Sequence, residues 1–113
     1  MSTVSKPGSR QTLNNQLHFQ LRLLGEDFAQ ILRRSHGPWA SISFSGERHE
    51  LTLEFVGTEA VEAGEAFIEA LSEHEFSITG QLVADASVRS VYHQFGVTER
   101  MTVEIVLLLL AET

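Results

Sequence analysis

The sequence predicts an α+β domain: a ferredoxin-like β-α-β-β-α-β antiparallel sheet with an added C-terminal fifth strand and two helices on one face. Three observations carry that expectation. Residues 101–111, MTVEIVLLLLA, form an apolar run broken only by Thr102 and Glu104, as in an interior strand that needs burial on both faces. Apolar and polar residues alternate at period two in four further stretches. Between them lie two stretches whose apolar residues recur at helical spacing, and these supply the crossovers.

Taken in order, LHFQLRL over 17–23 places Leu17, Phe19, Leu21 and Leu23 on one face and predicts the first strand. Gly25 breaks the pattern. Glu26 and Asp27 then suit a first helical turn, and Phe28, Ile31 and Leu32 predict a short helix to Arg34, closed by Gly37-Pro38. Ala40, Ile42 and Phe44 alternate with serines in a second strand, Trp39 to Ser45, and Leu51, Leu53 and Phe55 mark its hairpin partner. Thr58 is a good N-cap for the principal helix, which runs to about His74 with Ala60, Val61, Gly64, Phe67, Ile68 and Leu71 along one stripe. A fourth strand from Phe76, kinked near Asp85 and resuming through Tyr92, forms a long hairpin with the closing run through a turn at Gly96. A weak echo between LHFQLRLLGEDF and HELTLEFVGTEAV suggests a duplicated unit.

A chain of 113 residues with 42% hydrophobic and 20% charged residues is expected to be one globular domain over 15–113, preceded by a polar, disordered tail over 1–14 without a secretion signal. The absence of cysteine removes disulfides and thiolate chemistry and fits a cytoplasmic location. The closing run is about half the roughly 20 residues a spanning helix needs, so a membrane is not an expected partner. Net charge is −7 and the arginines are scattered, which speaks against nucleic acid.

Chemistry is thinly signalled. Adjacent pairs such as His49-Glu50 and His74-Glu75 diverge on a strand or a helix, so neither chelates a metal by itself, and these histidines are expected at the surface or at caps. Ser43-Phe44-Ser45-Gly46 lacks a nucleophile elbow, and no glycine-rich nucleotide loop is present. The sequence thus points to no cofactor, no metal and no catalytic set, and leans away from an enzyme.

Three surfaces stand out instead. If Val103, Ile105, Leu107 and Leu109 meet the helices, then Val106, Leu108 and Leu110 need other cover, and a second copy of the sheet would supply it in a homodimer. Glu59, Glu62, Glu69 and Glu73 share one helical stripe without a basic residue, a solvated face or a docking face for a basic protein. Trp39, Tyr92, His93 and Phe95 are the residues from which a small-molecule pocket would be built. The leading expectation is a non-enzymatic module acting by self-association or protein–protein contact. The alternative is a small-molecule sensor or minor enzyme with its pocket at Tyr92, His93 and Phe95.

Overall fold

In the computed structural model, which describes residues 10–111, the chain runs α1 (Arg10–Leu24), β1 (Gln30–Ala40), β2 (Ser45–Val56), α2 (Thr58–Ala70), a 3-10 turn (Leu71–Glu73), β3 (Gln81–Gln94) and β4 (Arg100–Ala111). The strands form one antiparallel sheet of order β1-β2-β4-β3. The fold is therefore two consecutive α-β-β units, each a helix followed by a hairpin, with β2 and β4 meeting at the centre.

This corrects the five-strand ferredoxin-like expectation: among the described residues the sheet has four strands, and a helix precedes the first of them. Residues 17–23 belong to α1. Their alternation of four apolar residues hides two i, i+4 pairs, and with Leu13 one step earlier the buried stripe is Leu13, Leu17 and Leu21, while Phe19 and Leu23 are 63% and 58% exposed. The short helix expected over 26–34 is absent because Glu26 and Asp27 adopt left-handed backbone, φ 56° and 65°, which ends α1 and turns the chain into β1. Ile42 and Phe44 sit in the β1–β2 turn, where Phe44 N–H donates to Ser41 Oγ and Ser41 N–H to the Phe44 carbonyl. β3 starts only at Gln81, after Gly80 (φ 77°). Of the tail expected over 1–14, residues 1–9 lie outside the described residues, and Arg10–Asn14 open α1.

Both helices lie on one face. The core joins Leu13, Leu17 and Leu21 of α1 and Ala60, Val61 and Phe67 of α2 to Leu51, Leu53 and Phe55 of β2 and Met101, Val103, Ile105, Leu107 and Leu109 of β4. Gly64 lets α2 approach closely, since a Cβ there would lie 2.8 Å from Phe55 Cγ. No described helix is long and apolar enough to cross a membrane.

Candidate functional site

Strand alternation assigns the second face of the sheet. With His49, Leu51, Leu53 and Phe55 buried under the helices, Arg48, Glu50, Thr52 and Glu54 of β2 turn outward; in β4 the outward row is Arg100, Thr102, Glu104, Val106, Leu108 and Leu110. Register completes this open face. Trp39 of β1 pairs with Gly46, which pairs with Leu110, which pairs with Leu82 of β3; Leu108 lies between Arg48 and Asp85, and Val106 between Glu50 and Ser87. The three residues Val106, Leu108 and Leu110 are thus brought onto one helix-free surface, half-buried in the single chain, with Trp39 half-buried and Leu82 52% exposed at the same end.

Trp39, Val106 and Leu108 line a shallow groove of about 380 Å³ with Arg48, Asp85, Ser87 and Arg89. Toward the other end the face is laced by ion pairs: Glu50 lies 3.3 Å from both Arg48 and Arg89, Arg100 bonds Glu54 at 2.7 Å, and Ser90 Oγ donates to Glu104 at 2.8 Å. Four basic residues (Arg33, Arg48, Arg89, Arg100) and four acidic ones (Glu50, Glu54, Asp85, Glu104) share the face. Among the described residues the open face is therefore balanced in formal charge, in a chain whose net charge is −7.

The sheet edges are guarded by comparison. β1 carries a bulge between Ile31 and Arg33, two exposed arginines and Pro38; β3 carries bulges between Val83 and Asp85 and between Val88 and Ser90. Such irregularities discourage strand addition at an edge.

Trp39, Tyr92, His93 and Phe95 are not assembled into one pocket. Tyr92 pairs with Thr102 on the open face, whereas His93 pairs with Met101 on the helix side. Trp39 aligns with Leu110, eight residues or roughly 26 Å along β4 from Thr102. His93 instead stacks on Phe95 at 4.1 Å and contacts Glu99 at 2.7 Å. Glu59, Glu62 and Glu69 are exposed on α2 and Glu73 on the turn after it. Arg33 and Arg34 do not reach them, since they lie on edge strand β1, Arg33 facing the open side beside Glu50 and Arg34 facing His18 of α1.

A second polar cluster escaped the sequence reading. His49, expected at the surface, is fully buried; it continues the inward parity of Leu51 and Leu53, which is the signal that would have found it. Its Nε2 lies 3.1 Å from Glu47 Oε1, and its Nδ1 has no partner among the described residues. Arg10 bonds the Glu47 carboxylate through two nitrogens, one at 2.7 Å. The Arg10 hydrogen bond, reinforced by His49 and the two positive charges, holds Glu47 down at about 2. Burial pushes the His49 imidazole below its ordinary value, against the opposing pull of Glu47. Among the described residues, no group of three or more His, Asp or Glu side chains is placed to share a metal ion.

No family model matches the chain, and no curated protein matches it. Among solved structures it is similar to a chain from the virion of a native gene transfer agent (GTA) particle, with a TM-score of 0.60 and 10% identity over 88% of this chain and 92% of that one. At that identity the shared property is the fold.

Proposed function

We propose that the protein is a non-enzymatic assembly module that pairs with a second copy of itself through the open face of its sheet. The carrying observation is the outward row Val106, Leu108 and Leu110, joined by Trp39 and Leu82, on a face that among the described residues carries no helix and no net charge. A chain of net charge −7 repels its own copy everywhere except where charges balance, and this face is where they do. Its size also suits a dimer. Four strands of 11 to 14 residues, at about 3.3 Å per residue and about 4.8 Å apart, cover roughly 750 Å², close to the ~800 Å² per partner of a stable interface.

The bulged edges favour face over edge as the contact. The related fold in a virion, itself a particle, supports a role in assembly. Multi-angle light scattering across a concentration series tests the proposal. The expected mass is twice that of the chain, and a monomer persisting to high micromolar concentration overturns it.

A further inference from the structure

Three of the five histidines, far apart in sequence, come together along one flank of α1. His18 on α1 lies 3.4 Å from Arg34 of β1. His36 of β1 stacks on buried His49 of β2, ring centroids 5.4 Å apart, and His49 contacts Glu47, which Arg10 grips from the first turn of α1. Arg10 and His18 are separated by two helical turns on one side of α1, so the seam runs along the helix where it meets the β1–β2 hairpin. On the opposite flank Gln16 bonds the Thr79 backbone and hydroxyl, and Gln20 meets His74.

We propose that this seam is an acid-sensitive latch: charging His18 beside Arg34 and His49 beside Arg10 loosens α1 from the β1–β2 hairpin and bares its Leu13, Leu17, Leu21 stripe. The charged neighbours of each ring set the direction. His49 faces Glu47 on its own strand, Arg10 from α1 and His36 from β1, while β4 opposes it with Leu107. His18 faces Arg34. Glu47 is the one carboxylate in these contacts, and Arg10 already engages both of its oxygens. A proton on His49 adds a second N–H donor in a fully buried site where Nδ1 lacks an acceptor among the described residues.

Burial depresses His18, with Arg34 adding to the effect, and burial depresses His49. A depressed imidazole contributes stability that is whole above its ordinary value near 6.5 and is lost as pH falls toward its folded value. Glu47, held at about 2, stays ionised through that window, so its own titration does not trigger the opening.

Hydrogen exchange on the full chain at pH 7.5 and 5.0, corrected for intrinsic exchange rates, tests the latch, with light scattering to confirm that the mass is the same at both. The expected result is a selective loss of protection in α1 of about tenfold relative to α2, with a parallel change in the fluorescence of Trp39, which lines a cavity with Arg10 and Leu13. The variant His18→Gln removes one of the two charges at a half-buried position, so it will fold, and the selective loss shrinks to the part that His49 supplies. Equal losses in α1 and α2, an acid-insensitive α1, or a His18→Gln variant that responds as strongly as the natural chain each overturn the proposal.

Discussion

Replacing Leu108 by glutamate probes the open face at its centre. In the single chain the new carboxylate lies between Arg48, which attracts it, and Asp85, which repels it, so its electrostatic effects largely offset and the lost packing of a half-buried leucine leaves about 1 kcal/mol of destabilisation. Association is another matter. Each copy forfeits about 1 kcal/mol of further leucine burial, and each brings a carboxylate into a drying interface at a cost of several kcal/mol. Even 4 kcal/mol in total weakens the dimer about a thousandfold. Sedimentation velocity at matched concentrations reads the mass, and urea unfolding of the same samples reads the fold. A variant with unchanged mass and unchanged stability refutes the assignment of Val106, Leu108 and Leu110 to an interface.

Other substitutions test the framework around that face. Gly64→Ala forces a methyl toward Phe55 and Met101; overpacking of about 1–3 kcal/mol outweighs the ~1 kcal/mol gained in helix propensity, so the urea midpoint falls. Gly46→Ala drives a Cβ into the backbone carbonyl of Leu109 and to 2.9 Å from Leu110 Cδ2; because a carbonyl in the sheet cannot rotate aside, the midpoint falls further than for Gly64→Ala. Glu47→Gln removes the partner of Arg10 and His49. Since Glu47 is depressed to about 2, its contribution is present above its ordinary 4.5 and lost as pH falls toward 2, so natural and variant stabilities converge over that range when midpoints are measured against pH.

What the sequence disclosed depended on how many residues spoke for each element. α2 and β4 lie where their patterns put them because each persists through a dozen residues, although the N-cap of α2 is Gly57, without a side-chain cap bond, rather than Thr58, and the helix gives way to the 3-10 turn after Ala70, short of His74. The four apolar residues of 17–23 fit a strand and a helix equally well, and Leu13 was the residue that decided between them. β1 was illegible because an edge strand with both faces largely exposed needs no alternation: from Leu32 to His36 every residue is exposed. Sheet order was equally hidden, since either topology leaves the same odd-numbered residues of β4 beneath helices. Reading β2 from Leu51 rather than from His49 concealed the buried imidazole and with it the polar seam under α1.

The two α-β-β units allow the open face to be judged against itself. β2 and β4 hold equivalent positions: each is the second strand of its unit, each is central, and each is antiparallel to the other. Their inward rows are alike, Leu51, Leu53 and Phe55 against Met101, Val103, Ile105, Leu107 and Leu109, as the shared core requires. Their outward rows are not. β2 presents Arg48, Glu50, Thr52 and Glu54 between Gly46 and Val56, which shows that the fold accepts a largely polar central strand on this side. Packing within the chain therefore gives no reason for Val106, Leu108 and Leu110 to be apolar, and burying them against another surface does. The same comparison places the contact. With Trp39 and Leu82 flanking Leu110, the apolar part lies at the end where β4 finishes and β3 begins, so a two-fold axis lying between the two faces and along β4 lays apolar end on apolar end and covers the whole face.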